Sequence, residues 1–128
     1  ARLNIAIVFI SHDISTVKSL CDEVLVLYKG KKVEHGSGSS FACAPYHPYT
    51  DLLVSSVPTL DPKWLDSRKR DLDALDISVQ NTDDLCRFRD RCPVKLGDQC
   101  NTEAPPLRTL TSGKSVLCHR DQAMLVAQ

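Results

Sequence analysis

Ile5-Ala6-Ile7-Val8-Phe9-Ile10, followed at once by Ser11-His12-Asp13, is the stretch that decides the fold class. An unbroken apolar run, mostly β-branched, is the pattern of a strand buried on both faces, as in parallel sheets. Such a strand needs a neighbour on each side and helices above and below. Few candidates follow in a chain that opens on Ala1, so the sequence reads as the C-terminal piece of a larger α/β protein. The abrupt change to Ser11-His12-Asp13 puts polar side chains at the carboxyl end of the strand, where open α/β sheets place ligand groups.

Working outward, Ser11 or Asp13 can cap a helix over Ile14 to Cys21, with Ile14, Val17, Leu20 and Cys21 on one face. Val24-Leu25-Val26-Leu27-Tyr28 reads as a second strand. Lys29-Gly30 reads as a hairpin turn, and Lys31 to His35 as a returning strand with Val33 inward. Gly36-Ser37-Gly38-Ser39-Ser40 is a flexible or turn-rich join. Pro45-Tyr46-His47-Pro48-Tyr49-Thr50 fixes the backbone ahead of a short helix. That helix carries Tyr49, Leu52, Leu53 and Val57 and stops at Pro58. From Trp64 to Gln128 the chain holds four cysteines and three prolines but no long periodic element. Too little apolar content for a core points to a metal or disulfide staple.

Composition narrows the function. Hydrophobic residues make up 42% of the 128 and charged residues 25%, which excludes a wholly disordered chain. Lys+Arg and Asp+Glu number 16 each, so a basic nucleic-acid footprint is absent. The run from Ile5 to Ile10 is far below the ~20 residues of a bilayer span. No basic segment precedes it, so it is not a signal peptide. Contact with a membrane would come through a partner.

Cys86, Cys92, Cys100 and Cys118 follow the spacing C-x5-C-x7-C-x17-C. Four thiolates suffice for a [4Fe–4S] cluster or a tetrahedral zinc. Structural zinc usually shows a C-x2–4-C knuckle, and none is present, so the wide spacing leans toward the cluster. Zinc, disulfides and free thiols all stay open on spacing alone. Arg87, Arg89, Arg91 and Lys95 would offset the thiolate charge. Cys21 and Cys43 read as structural. His35 and His47 read as turn or surface residues, and Trp64 as a packing anchor. His119, beside Cys118, reads as a surface residue that could substitute as a ligand.

Three stretches together resemble the end of an ABC transporter ATPase domain: Phe9-Ile10-Ser11-His12-Asp13, Asp22 to Lys31, and Val33-Glu34-His35-Gly36. Pro45 to Leu53, then Cys86-Arg87-Phe88-Arg89-Asp90-Arg91-Cys92-Pro93, Cys100, Glu103 to Leu107 and Val116-Leu117-Cys118-His119 narrow it. The series is similar to the ATPase subunits of oligopeptide and dipeptide importers, with their cysteine-bearing C-terminal extension. The resemblance implies an α/β fold: the C-terminal piece of a P-loop NTPase-like ABC ATPase domain, followed by a small loop-rich extension stapled by its cysteines or a metal. It divides the chain into 1–40, the end of the nucleotide-binding domain; 41–63, a connecting helix with the His-Pro-Tyr-Thr motif; and 64–128, the four-cysteine extension. Within that frame His12 is the switch histidine, reaching the γ-phosphate of ATP. The cysteines become [4Fe–4S] ligands, with zinc as the alternative.

The implied function is that of the ATP-binding, energy-coupling subunit of a peptide importer, with dipeptides, oligopeptides and nickel all open as cargo. ATP and Mg²⁺ are the implied cofactors of the complete subunit. The implied partners are a second ATPase subunit, transmembrane permease subunits and an extracytoplasmic substrate-binding protein. The implied location is the cytoplasmic face of the membrane. Walker A, the signature motif and Walker B are not in this sequence. Gly113-Lys114-Ser115 does not supply a P-loop, because Arg108 stands where the earlier glycine belongs. The chain alone is therefore expected not to hydrolyse ATP. The other reading is a non-catalytic metal- or cluster-binding module, or the product of a truncated gene.

Overall fold

The computed structural model describes residues 5–56 and 84–126. Val57, Pro58 and Trp64, singled out above, lie outside them. Helix α1 (Ile14–Leu20) starts on Asp13, whose carboxylate accepts the amides of Ser15 and Thr16. Strands β1 (Glu23–Tyr28) and β2 (Lys31–Ser37) form an antiparallel hairpin. Its Lys29 and Gly30 adopt φ of 47° and 77°, the left-handed pair that tightens a two-residue hairpin. Val24 to Tyr28 is a strand as expected, with Val24, Val26 and Tyr28 turned inward and Leu25 and Leu27 exposed.

The Gly-Ser stretch is a regular strand end and turn rather than a flexible join. Strand β2 runs on to Ser37, and Gly38–Ala42 forms a 3-10 turn. Gly38 is needed there, since a Cβ would stand 2.2 Å from the Cys21 carbonyl oxygen. Helix α2 (Pro48–Ser55) begins with Pro at its first turn, where the missing N–H costs nothing. After residue 84 come a 3-10 turn (Arg89–Arg91), helix α3 (Gln99–Thr102), strands β3 (Leu107–Thr109) and β4 (Ser115–Leu117), and helix α4 (Gln122–Val126).

The sheet is four-stranded, in the order β1-β2-β4-β3, with every pairing antiparallel. The cysteine-bearing segment thus contributes two strands to the hairpin's own sheet, through Glu34 opposite Val116 and His35 opposite Ser115. The larger core joins Ile14, Val24, Val26, Tyr28, Val33 and Phe41 to Tyr46 and Phe88. Phe88 sits against both Tyr28 and Tyr49, with ring centroids at 5.2 and 5.5 Å. A smaller cluster of Leu110, Val116 and Leu125 lies under β4.

Two expectations change. Ile5 to Ile10 is not a strand of this sheet. It runs without regular structure, with Ile7, Val8 and Ile10 more than four-fifths exposed. A parallel strand takes its hydrogen bonds from neighbours, and among the described residues the strands pair with one another instead. Leu20 also leaves the expected apolar face and is exposed. Ile14, Val17 and Cys21, the rest of that face, carry the contact with the core.

Candidate functional site

The turn at Pro45-Tyr46-His47-Pro48 is the meeting point of the hairpin and the cysteine segment. Glu34 on β2 is fully buried, and so is Lys114, at the foot of β4. Their side chains pair at 3.3 Å, Nζ to Oε1. The His47 backbone amide donates to Glu34 Oε2 at 2.9 Å. The Lys114 ammonium also reaches the Cys43 carbonyl at 3.4 Å and lies 4.0 Å from the centre of the Tyr46 ring and 5.0 Å from that of Phe41. Tyr46 in turn donates its hydroxyl to the Phe41 carbonyl. Burial raises the Glu34 pKa, a trend that Thr50, the His47 amide and Lys114 oppose. Burial lowers that of Lys114, against the pull of Glu34. Gly36 leaves room for the incoming lysine, since a Cβ there would lie 2.9 Å from Lys114 Cγ.

His47 is not a surface residue. It is buried, with Nδ1 accepting the Tyr49 amide as the cap of α2, and burial pulls its pKa down to about 4. Its ring stands 6.0 Å from that of Phe88.

On the far side of His47 the four extension thiols come together. Cys86, Cys92, Cys100 and Cys118 line one narrow cavity of ≈ 20 Å³ with His47, Phe88, Arg89, Val94, His119 and Arg120 among its walls. Burial raises the thiol pKa of Cys86 and of Cys118, and pushes that of Cys92 up to about 11. Neighbouring thiols add to each rise, and every pair among the four is close enough to do so. Raised in this way, the thiols keep their protons, and a bound cation would be needed to draw them into the thiolate form. A tetrahedral zinc with Zn–S ≈ 2.3 Å would draw its sulfurs to about 3.8 Å of one another. Among the described residues no three His, Cys, Asp or Glu side chains form such a group. Four thiols lining one cavity are the donor set that a four-thiolate centre would use.

The charge around the thiols differs from the expected set. Arg89 and Arg120 line the cavity, with Arg120 held by the carbonyls of Val94 and Met124. Arg87 instead donates to the Lys29 carbonyl at the hairpin turn, 2.8 Å away. His119 is buried and bonded at Nε2 to the Glu103 carbonyl, 3.1 Å away. Cys21 packs on the core, whereas Cys43 is exposed. His12 is exposed just ahead of α1, apart from the cavity residues.

Sequence reasoning located the four cysteines and the His-Pro-Tyr motif. It missed Glu34, Lys114 and Arg120. The signal for Lys114 was present only as a glycine before it in a short loop, read solely against phosphate binding.

Known proteins bear on this arrangement. Residues 33–100 match the family described as oligopeptide/dipeptide transporter, C-terminal region. A putative peptide import ATP-binding protein of Brucella ovis is 41% identical over 122 residues, which is 94% of this chain and 37% of that protein. The oligopeptide transport ATP-binding protein AppD of Bacillus subtilis is 38% identical over 120 residues, 91% of this chain and 35% of its own length. A probable peptide ABC transporter ATP-binding protein of Sinorhizobium fredii is 36% identical over 118 residues. The chain spans about a third of the length of these relatives. The matched region takes in most of β2, the buried turn at His47 and three of the four cavity cysteines, and the chain belongs to the oligopeptide/dipeptide transporter C-terminal region family.

Proposed function

We propose that this chain is the carboxyl-terminal part of the ATP-binding, energy-coupling subunit of a peptide-importing ABC transporter. The observation that carries the reading is the family match over residues 33–100, supported by relatives named as peptide import ATP-binding proteins. In the complete subunit ATP and Mg²⁺ would be bound by upstream residues. His12 would reach the γ-phosphate as the switch histidine, holding the attacking water in line, since phosphoryl transfer depends mostly on positioning and charge stabilisation. Exposure of His12 beside the Asp13 cap of α1 agrees with a side chain that waits for a ligand. Permease subunits, a second ATPase subunit and an extracytoplasmic binding protein would complete the importer at the cytoplasmic membrane face. Among the described residues no helix is long and apolar enough to cross a membrane.

The test is direct. In a full-length protein carrying this segment, His12→Ala should lower ATP turnover by about 10²-fold or more while leaving nucleotide affinity near its original value. The 128-residue chain alone should show no Mg²⁺-dependent hydrolysis. Activity in the isolated chain that survives His12→Ala removes the assignment.

The cavity formed by Cys86, Cys92, Cys100 and Cys118 is proposed to hold a [4Fe–4S] cluster. The cluster would serve as a staple for the extension, whose own apolar cluster among the described residues is Leu110, Val116 and Leu125 with Cys118. Chain prepared without oxygen should contain iron and sulfide. Serine at any of the four positions should release both, whereas Cys21→Ser and Cys43→Ser should not. About one zinc per chain and no iron would replace the cluster by zinc, and four free thiols in an intact fold would remove the metal.

A further inference from the structure

His47 stands between the two halves of the site, and its hydrogen bonds fix what it can do. The ring is 1% exposed. Its Nδ1 lies 3.1 Å from the Tyr49 amide nitrogen, and an amide can only donate. The Nδ1 atom therefore carries the lone pair, and the ring hydrogen is on Nε2. The backbone leaves little freedom to reverse this. The Glu34 carboxylate holds the His47 amide at 2.9 Å, and Pro48 follows at the first turn of α2. No acceptor among the described residues meets the Nε2 hydrogen. The ring that carries it helps line the four-thiol cavity. An N–H with no such protein acceptor, on a ring that lines the cavity, is free to donate to a group that the cavity takes up.

We propose that His47 donates its Nε2 hydrogen to a sulfur of the centre held in the four-thiol cavity, and tunes that centre without ligating it. The inference rests on the cluster reading above and adds a positioning residue to it. A ligating histidine would need its lone pair toward the metal, which the Tyr49 amide already occupies. A hydrogen bond to a cluster sulfur stabilises the reduced, more negative form, so the donor raises the midpoint potential. His119 has the opposite arrangement. Its Nε2 meets a carbonyl, which only accepts, so Nε2 is the donor there and Nδ1 keeps the lone pair. The two histidines beside the thiols thus differ in what they can offer, and only His47 has an N–H to spare.

Two substitutions separate the tuning role from the capping role. His47→Asn keeps an acceptor near the Nδ1 position and so keeps the cap of α2, but has no donor at the Nε2 position. His47→Gln reaches the Nε2 position with an amide donor and loses the cap. The chain and both variants are reconstituted anaerobically with ferrous iron and sulfide. Each is measured for iron and sulfide content, midpoint potential and exchangeable-proton coupling at the reduced centre by electron–nuclear double resonance. The expected result is that the Asn variant loads normally, loses the strongest exchangeable-proton coupling and shifts to a more negative potential. The Gln variant keeps the coupling and stays near the wild-type potential, with lower thermal stability. A cluster whose potential and proton coupling are the same in the Asn variant as in the wild type overturns the role of His47 and leaves the cluster standing. A wild-type chain that takes up no iron and sulfide overturns the cluster reading and this inference with it.

Discussion

Replacing Lys114 by Met tests the joint between the hairpin and the cysteine segment. Lys114 meets Glu34 at 3.3 Å, with both side chains fully enclosed. Methionine fills a similar volume against Phe41 and Tyr46, so the change removes the charge and little else. What is left is a buried carboxylate whose remaining hydrogen bond is the His47 amide. Breaking one side of a buried pair costs about 3–5 kcal/mol, because the other charge stays behind unpaired. With a urea m-value of about 2 kcal/mol/M, a loss of about 4 kcal/mol lowers the midpoint by about 2 M. Only two residue pairs join β2 to β4, so hydrogen exchange at Val116 should quicken more than at Val24. The double variant Lys114→Met with Glu34→Gln keeps a carbonyl for the His47 amide and has no charge. It should recover to within about 1–2 kcal/mol of the wild type.

The same variant has a pH signature. Burial raises the Glu34 pKa, and Lys114 opposes that rise in the wild type. Without the lysine the folded-state value moves further up. A raised carboxyl binds its proton more tightly folded than unfolded, so folding loses stability as pH climbs from the unfolded toward the folded value. The penalty of Lys114→Met is therefore largest near pH 7. It shrinks on acidification and should vanish below about 4.3, where the carboxyl is protonated in both states. Urea unfolding followed by circular dichroism at several pH values reads both effects. A loss under about 1 kcal/mol at pH 7, or one that is the same at pH 4.5, refutes the buried-pair reasoning.

Other substitutions probe the neighbouring packing. Gly36→Ala would put a Cβ 2.8 Å from Ser40 Oγ and 2.9 Å from Lys114 Cγ, and should cost about 1–3 kcal/mol in urea unfolding. Gly38→Ala meets backbone, the Cys21 carbonyl, and should lower the melting temperature more than Gly36→Ala does. Phe88→Ala removes a ring packed on Tyr28 and Tyr49 and should cost about 3–5 kcal/mol; a loss below 1 kcal/mol would mean the cysteine segment is not seated on the hairpin. The exposed run from Ile5 to Ile10 should drive self-association. Ile7→Ser with Val8→Ser should therefore reduce sedimenting oligomer without changing the melting temperature.

The parts of the fold that a local pattern encodes were legible. Val24 to Tyr28 forms a strand, Lys29-Gly30 turns, Asp13 caps, and each of these lies within a few residues of what it acts on. The four cysteines were grouped by chemistry rather than by periodicity, and the chain does bring them to one cavity. The unread parts are long-range. Periodicity records that Ile5 to Ile10 suits burial, but it does not name a neighbour. Glu34 sits in β2, and its outward or inward sense cannot be counted through a register shift opposite Val26 and Leu27. Lys114 bonds a carbonyl 71 positions back along the sequence. A single lysine in a Gly-Lys-Ser triplet carries no trace of that partner. Arg87 and Arg120 show the same limit, since charge near a cysteine does not say which carbonyl an arginine will reach.

The residues that sequence did not disclose are the ones that close the structure on itself. His47 faces the cavity with its ring and Glu34 with its amide. Glu34 holds Lys114, which stands just before β4, and Cys118 follows directly after β4 and returns to the cavity. The contacts thus form a ring, thiols to His47 to Glu34 to Lys114 and back to the thiols along one short strand. A ring of this kind resists piecemeal opening, because freeing β4 must also expose a buried charge and break the wall of the cavity. Cys118 is therefore carried to its place by the ion pair as well as by any centre it ligates, and the remaining walls, Phe88 and the cap at His47, are set by the hairpin core. The His-Pro-Tyr turn makes the cavity a property of both segments at once.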